Sequence, residues 1–235
     1  MVNLEAEIKL NEYENVLGGY TGLLTFRLAN LCVKSDPASL LVVSVDVFGK
    51  KNNIEDVSKV GVLSDEKMDV YPFHEDLLPM IGKAIAEVHP EFKQSIETLH
   101  SKSKDKDIRY LQLTMPEVDK DRRDLLMDGV DLNFNDCKAK CEAAKQKYFF
   151  ELTDKMQGSS EEDTNEAKER FDKISEDNMK MAQAAVDNKK KEIDEAYQRY
   201  LSKQAVKNAV ENEQIAAEGK DVTSSIKLPD RKSVV

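Results

Sequence analysis

The sequence has no tryptophan, only three cysteines and three histidines, and a deficit of positive charge that leaves it at −10. Each shortage excludes something. An odd number of cysteines, all in helical patterns, suits a reducing compartment and argues against a disulfide scaffold. No apolar run is long enough to span a bilayer. The acidic balance argues against plain electrostatic binding of nucleic acid. The first nine residues are acidic with one lysine, unlike a signal peptide or an arginine-rich transit peptide, so a presequence would lie outside this numbering.

Enzyme signatures are also missing. There is no GxxxxGKS/T phosphate loop, no GxSxG, no HExxH and no paired CxxC. His74, His89 and His100 lie in one region without ligand spacing and read as surface or core residues. Cys137 and Cys141 are one helical turn apart on an apolar stripe. Two thiols do not complete a zinc site, so they read as small core residues. The expectation is a protein with no catalytic residue, no metal and no cofactor.

What is present is helical period on both sides of a short alternating segment. Over 3–34, Ala6, Leu10, Tyr13, Leu17, Tyr20, Leu24, Leu28 and Leu31 recur at spacings of four and three, one stripe along a helix roughly 45–50 Å long. Gly18, Gly19 and Gly22 interrupt it, which predicts a bend or a close neighbour. Ser35-Asp36-Pro37 ends it. Strands are expected over 40–48, 57–63, 68–73 and 108–114, a short amphipathic helix over 76–88, and a charged loop over 101–107. Pro116 stops the last strand, and Glu117, Asp119 and Asp121 favour a helix start. Two long helices follow, over about 117–156 and 161–211, separated by a turn at Gly158-Ser159-Ser160 with a serine cap. Residues 212–235 lose the period and read as a mobile tail. The fold class is α+β: a three-helix bundle from 1–34 and 116–211, with a small β/α domain inserted over 35–115.

Positive charge is local. Residues 138–147 hold four lysines and one glutamate, and 180–191 four lysines and one aspartate. Arg122 and Arg123 stand on the first turns of the second long helix. Backbone geometry does not require them there, and a solvated helix face is the bland reading.

Several short motifs, in order, resemble the ribosome recycling factors. Pro37-Ala38-Ser39-Leu40-Leu41 followed by Val45-Asp46-Val47-Phe48-Gly49 resembles SPALL…VDYYG. Val70-Tyr71-Pro72-Phe73 with Ile81-Gly82-Lys83-Ala84-Ile85 resembles that family's strand and EKAI helix. Asp107-Ile108-Arg109 and Asp121-Arg122-Arg123-Asp124-Leu125 resemble DIR…LTEERRKDL, and Lys173-Ile174-Ser175-Glu176-Asp177 resembles KEISED. Together they cover roughly residues 10–205. The departures fall on arginines. The family's RTGR corresponds to Leu31, Cys32, Val33 and Lys34. Its basic run on the second helix corresponds to 137–147, with Lys138, Glu142 and Lys145-Gln146 where arginines stand; lysine keeps charge but loses the bidentate fork.

The resemblance implies an L-shaped, non-enzymatic protein that is a monomer off the ribosome. It would enter the intersubunit space after termination and lie against large-subunit rRNA. Elongation factor G, hydrolysing GTP, would push on its small domain and split the subunits. Arg122, Arg123, Lys34, Lys138 and Lys145 are the implied rRNA contacts, and Ser35, Pro37, Thr114 and Pro116 the implied hinge. The lost arginines suggest an organellar, mitochondrial member; bacterial cytoplasm or plastid is the alternative. Two other readings stay open: a paralogue acting in ribosome assembly or dormancy without splitting, and an unrelated helical scaffold.

Overall fold

The computed structural model describes residues 4–101 and 106–224, with side chains over 4–100 and 107–211. Three long helices dominate it: α1 (Leu4–Ala29), α4 (Lys120–Lys155) and α5 (Glu161–Ser224). The expected stripe on α1 is buried at Ala6, Leu10, Tyr13, Leu17, Leu24 and Leu28. It packs against Val130, Cys137, Cys141 and Ala144 of α4 and Phe171, Ala182, Val186 and Ile193 of α5. Tyr13 anchors the middle, with its ring stacked on Phe171 at 4.3 Å and its hydroxyl 2.7 Å from Ser175 Oγ. Burying an aromatic of this size contributes about 1.5–3 kcal/mol.

Two expectations for α1 change. Gly18, Gly19 and Gly22 have open space where a Cβ would stand, so no helix approaches closely there. The close approach is at Gly129 of α4, where a Cβ would meet Leu31 Cδ2 at 3.2 Å. The helix also ends at Ala29 instead of continuing to 34. Leu31 still packs on the bundle and Val33 is buried in it, while Cys32 is buried in the core of the small domain.

The turn after α4 is built as the sequence suggests. Gly158 adopts φ +82°, the left-handed conformation that glycine takes without strain. Ser160 then caps α5, its Oγ accepting from Asp163 N at 3.1 Å. α5 overruns the expected end at 211 and reaches Ser224. A helix does not need a buried face at every turn. Between 212 and 224 there is no proline, and alanine, glutamate and glutamine favour the conformation. Loss of apolar period was therefore a poor stop signal for 212–224; the rest of the expected tail, 225–235, lies outside the described residues.

The inserted segment forms a four-stranded antiparallel sheet, in the order β3 (Ser58–Ser64), β4 (Lys67–Pro72), β6 (Lys106–Thr114) and β5 (Lys93–Ser101). A separate hairpin, β1 (Ser44–Val47) and β2 (Lys50–Asn53), leads into the single turn of α2 (Ile54–Val57). α3 (Leu78–Val88) supplies Leu78, Ile81, Ala84 and Ile85 to the same core as Leu111 and Leu113. The strand expected over 40–48 begins only at Ser44. Pro37–Val42 is a 3-10 helix capped by Asp36, whose side chain accepts from Ala38 N. Local capping outweighs the β-branched run there. Strand β5 was not expected from sequence. It lies on the sheet edge, with Ile96 and Leu99 about half exposed, so it carries little hydrophobic signal.

Candidate nucleic-acid interface

The start of α4 is fixed by Asp119, whose carboxylate accepts from Arg122 N at 2.9 Å. A helix turns about 100° per residue, so the two arginines that follow point in different directions. Arg122 turns inward. Its Nη2 donates to the carbonyl oxygen of Cys32 at 2.9 Å, and its Nε is buried without a partner. Burial lowers its pKa from the ordinary guanidinium value. Arg123 reaches α5 instead. Its Nε donates to Asp194 at 2.8 Å and its Nη1 to Asp124 at 3.1 Å, with the guanidinium 5.5 Å from the Tyr197 ring centre. The hydrogen bond to Asp194 is the main cause of its raised pKa.

The other three expected contacts lie further out. Lys34 is exposed and 3.5 Å from Glu192. Lys145 is 3.3 Å from Asp172. Among the described residues Lys138 has no carboxylate partner, and its ammonium lies 4.6 Å from the centre of the Phe134 ring. Lys138 and Lys145 line one groove of about 830 Å³ between α4 and α5, floored by Tyr13 and Leu17 of α1. Lys180 also lines it, but so do Glu142, Asp172 and Glu176. Three cations thus face three carboxylates, Glu142 among them. Arg123 and Lys34 do not line it.

The expected hinge residues are held mainly by the small domain. Ser35 is buried and donates its N–H to the Asp65 carbonyl at 2.8 Å. Thr114 lies inside β6, opposite both Lys67 and Lys93. Pro37 opens the 3-10 helix. Pro116 lines a junction cavity of about 340 Å³ together with Glu66, Glu117, Arg199 and Lys203. Lys203 of α5 bridges Glu66 in the β3–β4 turn and Glu117 before α4, the latter at 3.4 Å. Arg199 was not expected as a site residue. It is exposed beside this cavity and makes no ion pair among the described residues. No sequence signal marked it, since Glu195 four residues earlier offers an ordinary helix-spaced partner.

The profile described as ribosome recycling factor matches residues 27–193, from the last turn of α1 through the whole small domain and into α5. No curated protein matches. Among solved structures, the chain is similar to a solution structure of the ribosome recycling factor. The TM-score is 0.62 and the identity 18%, with 82% of this chain and 98% of that one covered. It is also similar to the T. thermophilus ribosome recycling factor described with E. coli elongation factor G on the E. coli post-termination complex. That likeness has a TM-score of 0.53 and 18% identity, over 81% of this chain and 99% of that one. At such identity these two likenesses are of fold, whereas the profile covers most of the chain. The chain belongs to the ribosome recycling factor family.

Proposed function

We propose that this protein binds the large ribosomal subunit in the intersubunit space after termination and, with elongation factor G, splits the ribosome into subunits. The observation that carries the reading is the extent of the family match, which takes in bundle and small domain together. A lever needs both arms. The chain supplies no energy in this scheme; elongation factor G hydrolyses GTP. The rRNA phosphates would be met by the outward cations of the bundle. Lys138 is the best placed, because among the described residues no carboxylate must be displaced first. Lys145, Lys34 and Arg123 would exchange surface carboxylates for a phosphate, a small loss because exposed ion pairs contribute little. Arg122 acts inside the molecule. The pivot falls on the bundle side of the expected hinge, at 33–34 and 116–117, since Ser35 and Thr114 are hydrogen-bonded into the small domain. The replaced arginines support an organellar, mitochondrial setting.

A second reading, binding to a subunit without splitting it, is favoured by the carboxylates Glu142, Asp172 and Glu176 among the groove lysines. Light scattering of post-termination ribosomes with the protein, elongation factor G and GTP separates the two. A scattering decrease that requires all three components supports recycling. Co-sedimentation with the large subunit and no decrease supports the second reading, and no co-sedimentation removes both.

A further inference from the structure

Cys32, on the connector after α1, meets His89 and Glu91 at the end of α3. Cys32 and His89 are each 4% exposed. The cysteine sulfur, a ring nitrogen and a carboxylate oxygen lie within 4.8 Å of one another. The imidazole is held on two sides. It stacks on Phe92 at 4.6 Å, and its Nε2 lies 2.9 Å from the carbonyl oxygen of Ser39. A carbonyl oxygen only accepts, so Nε2 carries the ring proton.

Nδ1 then faces Glu91 Oε1 at 3.1 Å and Cys32 Sγ at 3.9 Å. In the neutral ring this is a lone pair against a carboxylate, a repulsive contact. A cation between the three atoms relieves it. The thiol, which otherwise donates to the carbonyl oxygen of Asn30 at 3.4 Å, gives such a cation a soft third ligand. A tetrahedral ion with bonds of about 2.0–2.3 Å to sulfur, nitrogen and oxygen sets its ligand atoms roughly 3.3–3.6 Å apart. The two separations from Nδ1 bracket that range, and the third, between sulfur and carboxylate, lies within 4.8 Å. The carbonyl on the far ring nitrogen is the outer partner that metal-bound histidines usually have.

We propose that Cys32, His89 and Glu91 bind one zinc ion, with water as the fourth ligand. The half-exposed Glu91 gives the ion and its water a path in. On binding, the S–H bond breaks, the S–Zn bond forms and the proton leaves to solvent. Thiolate and carboxylate together neutralise the dication, which is what a buried charge requires. The Cys32 carbonyl also accepts from Arg122 of α4. The ion therefore ties the small domain's helix to the connector that the bundle already holds.

The test uses the full chain, stripped with chelator under reducing conditions and titrated with Zn²⁺ against a chelating dye, then with Co²⁺. One equivalent bound at micromolar ion, with a thiolate-to-cobalt absorption band that Cys32→Ala removes, is the expected result. Glu91→Gln, a partly exposed change that spares the core, should weaken binding by more than about tenfold, since losing even an outer-shell partner costs about 10–100-fold. No binding below millimolar ion overturns the proposal, as does a band that survives Cys32→Ala, which would place the ion on Cys137 and Cys141. If Cys32→Ala does not fold, Glu91→Gln decides, and unchanged affinity overturns the site.

Discussion

The domain junction and the middle of the bundle use positive charge in opposite ways. At the junction, Arg122 satisfies a carbonyl and Lys203 spans Glu66 and Glu117. These cations hold the molecule together. In the groove between α4 and α5, Lys138 and Lys145 stay at the surface, one over an aromatic ring and one beside a single aspartate. Those can be given up to a ligand. A basic motif read from sequence thus mixes two roles, and direction on the helix, more than residue type, separates them.

The comparison can be broken at the groove floor first. Phe171→Ala removes the ring stacked under Tyr13 and should destabilise the bundle by about 3–5 kcal/mol, the largest effect expected here. A denaturant midpoint nearly unchanged would mean that the floor does not carry the bundle. Next comes Arg122→Ala. Leaving the Cys32 carbonyl without its donor should cost about 1–3 kcal/mol, which for a chain of this size lowers Tm by about 2–4 °C per kcal/mol. An unshifted Tm, followed by circular dichroism, would return Arg122 to the surface set.

A smaller effect separates acid from neutral conditions. Arg170 forks onto Glu7, and this hydrogen bonding holds the Glu7 carboxyl below its ordinary value. A carboxyl whose pKa is depressed by folding stabilises the protein fully above its unfolded value, and that contribution is lost as pH falls through the folded one. Glu7→Gln should therefore lower Tm at neutral pH and converge with the wild type in acid. Parallel curves would show that the pair contributes nothing. The smallest stability effect is expected for Arg123→Ala, because its ion pairs are exposed, while ribosome binding weakens most at low salt. A large drop in Tm with normal binding would make Arg123 a purely internal clamp like Arg122.

The long helices were legible because burial imposes a 3.6-residue period, and Leu10, Tyr13, Leu17 and Leu24 obey it. Strand β5 was not, since an edge strand with Ile96 and Leu99 half in water has no reason to alternate. The direction of Arg122 depends on where the connector carbonyl of Cys32 passes, which no local pattern encodes. The Cys32–His89–Glu91 cluster was hidden for the same reason: 57 residues separate the cysteine from the histidine. Conversely, the decay of the basic run was readable, and Glu142 does stand among the groove lysines.

The most direct test of the division between holding and outward cations is the salt dependence of ribosome binding. Sedimentation across a range of salt would compare the wild type with Lys138→Ala and with Arg122→Ala. The account predicts that Lys138→Ala lowers affinity and reduces the slope of log affinity against log salt by roughly one phosphate contact. Arg122→Ala should leave the slope of its folded fraction unchanged. A slope that falls for Arg122→Ala and stays constant for Lys138→Ala would contradict it.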